Sequence, residues 1–460
     1  MLSEFKYIIF FAVLLIGVPV GVIAASYNKT CEKILLFLMV FFTCRLEETI
    51  NFASHELYRG TSRGFEVGLV DLAGLTLFGV MMMRKEFKIR WFPPGTVLYG
   101  IYFLFSVISI MNADIQIYSW FEVWKMIRMY FYYWVLYNYF MDFNRIKLVF
   151  TYLPAIVIYI FVIAVYQKYV EHVYQIHGPL PHQNSLAMYV SVLGTLFFAM
   201  ILNVRTTQFK SMVYMGTFCL CCMLEIATLS RAGLACYAGG CLVTLLFSYV
   251  SGLQLRKMLV TLAVVAATCA AAMFAMRSII QRIENAPVAS RITRYNLAVS
   301  ALNMANDKFF GIGLNNFGLK VNHEYPYSEH FKQERYSKDF REGLVETTYL
   351  MIAAETGWLN LGVFFIYIMF FYLQNMFNIF RFYRKDMQFI AIGFAGGLST
   401  IYVQSTLEWV LKQSCNFYQL MFVFAIIAAM TTIYRRNRGE AETQHLALRN
   451  LAMLSSIFRR

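Results

Sequence analysis

The 460-residue chain is 59% hydrophobic and only 14% charged, against roughly 25% charged residues in an ordinary soluble domain. That balance excludes a soluble fold and leaves a protein that lives in the bilayer. The net charge of +14 does not point to nucleic acid, because much of it falls in short loops between apolar runs, where it sets membrane orientation.

A helix needs roughly 20 apolar residues to cross a bilayer. Twelve or thirteen runs approach that length: 7–25, 33–50, 66–83, 95–111, 119–140, 147–166, 184–203, 211–228, 233–252 and 257–276, then 347–375, 387–404 and 416–434. The second is the weakest, since Arg45, Glu47 and Glu48 follow a short apolar core; it is expected as a re-entrant or tilted segment. The first lacks a small-residue cleavage pattern and is long enough to remain a span rather than leave as a signal peptide. The runs are helices, because lipid offers the backbone no hydrogen-bond partners and a barrel would alternate apolar and polar residues. The predicted fold is therefore an all-α polytopic membrane protein, with transmembrane helices over 1–276, one long outer loop containing short helices over 277–346, further spans over 347–434, and a basic tail over 435–460. No internal repeat of 20 to 50 residues stands out.

Arg84, Lys85, Lys88 and Arg90 mark one short basic loop; Arg205 with Lys210, Arg256 with Lys257, and Arg381 with Arg384 and Lys385 mark others of the same parity. The tail adds Arg435, Arg436 and Arg438. By the positive-inside rule these loops and the C-terminus face the cytoplasm, which sends the 277–346 loop to the outer face. Leu446, Leu448, Leu451, Leu454 and Phe458 make the tail modestly amphipathic, fit to lie on an anionic membrane surface. Most of the nine cysteines fall inside spans, where they serve as small packing residues; Cys219, Cys221 and Cys222 have no histidine or carboxylate beside them.

The outer-face segments hold the unusual polar content. They are Arg59 to Glu66, His177 to Asn184, the tight turn Ser230-Arg231-Ala232-Gly233, and the long loop, which carries ten Lys or Arg and seven Asp or Glu between Arg277 and Val345. Within that loop Arg291 to Ala305 reads as a helix, with Ala298, Ala301, Leu302 and Ala305 on one face, broken by Gly311 and Gly313. An arginine wedged between two apolar runs, as Arg231 is, needs a partner or a watery cavity. Arg63, Arg231, Arg291 and Arg294 all belong to this face, and the planar guanidinium suits bidentate bonding to phosphate. The set fits a polyprenyl pyrophosphate, whose charge sits at the boundary of lipid and water. No acidic pair with metal-ligand spacing accompanies the arginines, so arginines rather than a metal or cofactor are expected to stabilise the leaving group. Tyr325, Tyr327 and Tyr336 could stack on sugar rings.

The motifs at these positions resemble those of the O-antigen ligase and polymerase superfamily, over about residues 180–430. His182-Gln183-Asn184-Ser185-Leu186-Ala187 resembles the family's His-Pro-Asn-x-Leu-Ala. Ser230-Arg231-Ala232-Gly233 is similar to its Ser-Arg-Gly turn. Arg291-x-x-x-Tyr295, with Gly311-Ile312-Gly313-x-x-x-Phe317, is similar to its Arg-x-x-x-Trp and Gly-x-Gly-x-x-Phe elements. Ala354-Glu355-Thr356-Gly357 resembles its Ala-Glu-x-Gly signature. The resemblance implies a metal-independent, inverting glycosyltransferase of the bacterial inner membrane. It moves a glycan from undecaprenyl pyrophosphate, at the periplasmic face, to a glycan, a lipid A core or a protein, with a chain-length regulator as a further partner.

On that resemblance Arg231 and Arg291 clamp the pyrophosphate, with help from Arg63 and Arg294, while His182, Asn184, Tyr349 and Glu355 bind or orient substrate. The sequence departs from the ligase pattern at Glu346-Thr347-Thr348-Tyr349-Leu350, where ligases carry His-Asn-x-Tyr-Leu. Glu346 stands in the place of the proposed general base, a role a half-buried carboxylate can fill; His323 and His330 are alternatives. The substitution favours a repeat-unit polymerase over a strict lipid A ligase. A lipid-linked sugar transporter is the alternative from another class, with Asp71, Glu225 and Glu408 as the ionisable residues within its membrane part.

Overall fold

The computed structural model describes residues 2–45, 49–250, 252, 254, 255, 257–263, 266, 288–322, 325–330, 343–383, 385 and 387–457. The predicted span 257–276, together with His323, Tyr336 and Phe458, lies wholly or largely outside them.

Helices dominate, as the absence of any alternating pattern required. In chain order they are α1 (Leu2–Ala12), running through a π-turn at Val13–Gly17 into α2 (Val18–Tyr27), then α3 (Lys29–Phe41), α4 (Leu69–Met83), α5 (Thr96–Ile108) and α6 (Gln116–Tyr139). There follow α7 (Phe143–Phe150), α8 (Leu153–Tyr169), α9 (Gln183–Asn203), α10 (Gln208–Thr228) and α11 (Arg231–Val250). Beyond the undescribed stretch come α12 (Val288–Asp307), the short α13 (Phe317–Lys320), α14 (Thr348–Arg381), α15 (Gln388–Gln404) and α16 (Ser414–Ile457). The protein is an all-α polytopic membrane protein. Among the described residues seven helices are long and apolar enough to cross a bilayer: Lys6–Tyr27, Phe143–Tyr169, Gln183–Asn203, Gln208–Thr228, Arg231–Val250, Thr348–Arg381 and Ser414–Gly439.

Several of the other expected spans differ for identifiable reasons. The run at 33–50 yields a helix that stops at Phe41 and passes through a 3-10 turn at Phe42–Cys44. The start of the 66–83 run is a strand, since Ile50–Phe52 and Phe65–Val67 pair antiparallel with Ile50 opposite Val67. Leu69–Met83 and Thr96–Asn112 are apolar but short. Gln116–Tyr139 is long enough, yet it carries Glu122, Lys125 and Arg128, three charges that a lipid-facing helix would not tolerate.

The core is built around α9. Every residue from Asn184 to Leu202 is buried, which is why this helix is apolar all round rather than on one stripe. It packs against α10, α11 and α15, while α16 lies along α6. Small residues let the backbones close up: a β-carbon at Gly233 of α11 would stand 2.6 Å from that of Ala187. The first hydrophobic segment, by contrast, is peripheral and leaves Ile8, Ile9, Leu15 and Ile16 exposed, as befits a lipid-facing helix.

Two ends of the bundle can be told apart by what they carry. One bears the β-hairpin, the α8–α9 loop, the α10–α11 turn, the described residues of 288–347 and the α15–α16 loop. The other bears the basic loops around Arg84, Arg205, Lys257 and Lys385. At the first end α12 lies along α14 and closes a small apolar core with Leu297, Ala301, Met304, Phe317, Val345 and Met351. The helix expected at 291–305 is therefore present but longer, and its buried face differs: Leu297 and Met304 join Ala301 and Ala305 inside, whereas Leu302 points outward. The tail continues α16 as helix to Ile457 instead of forming a separate element.

Candidate functional site

The site assembles around the first turn of α9. His182 caps this helix, its Nδ1 accepting from the Asn184 amide at 3.2 Å. The Gln404 side chain, at the end of α15, donates to the Asn184 carbonyl at 3.1 Å, and Ser185 bonds Gln413 in the α15–α16 loop. The Asn184 side chain in turn hydrogen-bonds Glu408 in that loop. The Ser230–Gly233 turn packs on the same helix through the close Gly233–Ala187 approach. Leu229 ends α10 at φ 52°, and the Ser230 hydroxyl accepts from the Gly233 amide at 3.1 Å. This reversal leaves Arg231 exposed at the first residue of α11. Cys236, further along α11, lies within electrostatic reach of Glu408.

Over this floor α12 presents Arg294. Its guanidinium sits 2.7 Å from Glu346 Oε2 and 3.7 Å from Glu408 Oε1. The Arg294 and Glu346 side chains are 47% and 33% exposed, whereas Glu408 is only 6% exposed. Two carboxylates thus face one guanidinium at the edge of solvent. Burial raises the Glu408 carboxyl to about 7; the neighbouring Glu346 charge adds to the rise, and Arg294 and Asn184 oppose it. Burial also raises Glu346, against the pull of Arg294. His182 is lowered by burial first and by His177 and Arg294 after it, so it favours the neutral imidazole. A carboxylate that titrates near neutrality beside a guanidinium can take a proton from a hydroxyl.

His182, Asn184, Arg294 and Glu346 are therefore gathered in one place. Arg291 stands one helical turn before Arg294 on α12, and its side chain lies outside the described residues. Arg63 is exposed on the return limb of the β-hairpin, where its carbonyl accepts from the His55 amide at 2.8 Å. Tyr349 is buried, with its ring 4.7 Å from that of Phe365 and its hydroxyl donating to the Tyr402 carbonyl at 2.9 Å. His330 is exposed and within 3.0 Å of the Asn296 carbonyl. Tyr325 and Tyr327 direct their hydroxyls to Asp114 and Asp307.

Glu355 lies deeper, 1% exposed, and its carboxylate pairs with Lys412 at 2.8 Å. From there a buried charge network runs through α6. Lys412 lies 3.8 Å from Glu122, and Glu122 accepts from Lys125 at 2.6 Å and from the Thr61 and Ser62 hydroxyls at 2.8 and 2.6 Å. Arg128 binds Asp71 at 2.9 Å, Glu66 at 3.3 Å and the Tyr418 hydroxyl at 3.0 Å. Asp71 is thus in the first turn of α4, committed to Arg128, and Glu408 belongs to the loop after α15, so neither is a free charge at mid-span. Glu225, at the end of α10, is buried with neither oxygen hydrogen-bonded.

The Gly-x-Gly and Ala-Glu-x-Gly motifs prove to be partners. Gly357 breaks α14 at φ 87°, which bares the carbonyls before it. Ile312 N–H then donates to the Ala354 carbonyl at 2.9 Å and Gly313 N–H to that of Glu355 at 3.1 Å. Gly311 rests on the Glu355–Thr356 peptide, where a β-carbon would overlap backbone. The clasp fixes the far end of α12 on α14 and so helps to set the height of Arg294 above Glu408.

Sequence reasoning missed the α6 charges and the partnership of Glu408 with Glu346. The first left a signal: Glu122, Lys125 and Arg128 recur every third residue on one helix face. The second left none, because the two glutamates are joined only by the tertiary fold.

A search of curated proteins found no match. Residues 215–365 match the family described as O-antigen ligase. That segment holds the Arg231 turn, Arg294, the Gly-x-Gly clasp, Glu346 and Glu355, in the order and contacts just described. Over these residues the chain is similar to the O-antigen ligase and polymerase superfamily.

Proposed function

We propose that the protein is a metal-independent, inverting glycosyltransferase that works at the periplasmic face of the inner membrane and polymerises a surface polysaccharide from undecaprenyl-pyrophosphate-linked repeats. The observation that carries this reading is the pair of carboxylates, Glu346 and Glu408, facing Arg294. Glu408, or the pair acting together, takes the proton of the acceptor hydroxyl as that oxygen attacks the anomeric carbon. Two carboxylates this close titrate as a unit, so the proton belongs to the pair rather than to either residue alone. The glycosidic carbon–oxygen bond to pyrophosphate breaks on the opposite face of the sugar. Arg231 and Arg291 receive the charge left on the pyrophosphate. Arg294, already neutralised by its carboxylates, holds the base rather than the phosphate. His182 and Asn184 keep Glu408 oriented.

A carboxylate base in place of the family's histidine favours another lipid-linked repeat as acceptor over the lipid A core. The test is reconstitution of the purified protein with a lipid-linked repeat, followed by a gel of the products. Chain growth supports the reading. A glycan transferred only to lipid A core would make it a ligase, and movement of the substrate across the bilayer without a new bond would make it a carrier. Arg231→Ala should abolish chain growth while the protein still accumulates in the membrane; full activity in that variant removes Arg231 from the mechanism.

A further inference from the structure

The end of the bundle opposite the site contains a cavity of about 800 Å³. Five cations line it: Lys147 at the foot of α7, Arg205 and Lys210 between α9 and α10, Lys257, and Lys385 before α15. Among the described residues the lining holds no aspartate or glutamate. Short basic loops orient a membrane protein wherever they lie along its perimeter, and that requirement does not explain why five cations converge on one cavity. Lys257 shows how fixed part of this arrangement is: its ammonium is buried and donates to the Ser248 carbonyl at 2.6 Å.

Phe150, Met200, Tyr214 and Phe389 add apolar surface to the lining. The chain flanking its lysines also turns large apolar side chains outward, namely Phe209, Met212, Leu255 and Met258. An amphiphile meets both requirements at once, its anionic head among the cations and its chains along the exposed apolar flank. A free inorganic anion would use only the first.

We infer that this cavity binds the phosphate headgroup of an anionic phospholipid, independently of the transfer reaction at the other face. Basic pockets between helices at a membrane surface are suited to such headgroups. The full-length protein, purified in detergent, can be titrated with phosphatidylglycerol, with phosphatidylcholine and with inorganic pyrophosphate, reading bound lipid by native mass spectrometry and the melting temperature in parallel. Phosphatidylglycerol should bind and raise the melting temperature, and phosphatidylcholine should not. The triple variant Arg205→Gln/Lys210→Gln/Lys385→Gln should lose phosphatidylglycerol affinity by about a hundredfold, at roughly fivefold per charge. Should that variant fail to accumulate, Lys210→Gln and Lys385→Gln singly should each lose roughly fivefold. Lys88→Gln, in a different basic loop of the same end, should bind as the parent does. Equal binding of the two lipids, or unchanged affinity in the variants, overturns the inference. Stabilisation by pyrophosphate without any by phosphatidylglycerol would overturn the lipid and leave a site for a free anion.

Discussion

Two clusters of charge lie at the same end of this molecule and are built on different terms. In the α6 network, Glu122, Lys125, Arg128, Asp71, Glu355 and Lys412 are each answered by an opposite charge within 3.3 Å, and hydroxyls of Thr61, Ser62 and Tyr418 occupy further positions. Around Arg294, two carboxylates share one half-exposed guanidinium, and one of them is raised to about 7. The contrast separates scaffolding from chemistry. A buried network closed on itself has no unmet demand for a substrate to satisfy, and removing one partner breaks it. A cluster with two carboxylates to one half-exposed guanidinium has its proton poised near neutrality. The two are joined mechanically, because Lys412 and Glu408 belong to the same loop and Glu355 belongs to the helix that follows Glu346.

The contrast can be broken most directly at Glu408. Glu408→Gln should lower chain growth by about 10²–10⁴-fold without loss of membrane insertion; half-normal product would move the proton transfer elsewhere. Lys412→Met should act on the fold instead, leaving Glu355 buried without its cation at a cost of about 3–5 kcal/mol. A melt in detergent would show it, and adding Glu355→Gln to Lys412→Met should recover part of the loss. An unchanged melt would mean that the network does not act as a scaffold. Gly357→Ala meets the Phe309 carbonyl and a φ of 87°, and should destabilise by about 1–3 kcal/mol. If Arg294 depends on the clasp for its height, activity in this variant falls further than the melt alone explains.

The smallest effects are those of pH. Chain growth should rise up to about tenfold per pH unit below the Glu408 value of about 7 and level above it, and the rise should vanish in Glu408→Gln. Stability runs the other way. The folded carboxyl is raised from the ordinary 4.5 to about 7. Its favourable share is therefore complete below the ordinary value and is lost as pH rises through about 7. Wild-type melting temperature should fall across that window relative to Glu408→Gln; parallel curves would place the titration on another group.

Much of the site is legible in the amino-acid sequence. His182, Asn184, Arg231, Arg294 and Glu346 can be picked out because polar residues between apolar runs are conspicuous, and loop parity collects them at one end. Glu355 stands out for the same reason, yet it lies beneath the site rather than in it, since its partner Lys412 arrives from a segment more than fifty residues away. Glu408 reads as a stray charge within the membrane part until the fold sets it beside Arg294.

The sequence by itself determined the class of protein, the helical character of its spans and the face on which its chemistry gathers. Apolar length and charge position act locally along the chain, and the bilayer leaves the backbone few alternatives. Only the tertiary structure decided which carboxylates are paired and which are left short of charge. That depends on distance between segments far apart in sequence, and on how much water each side chain loses when they meet.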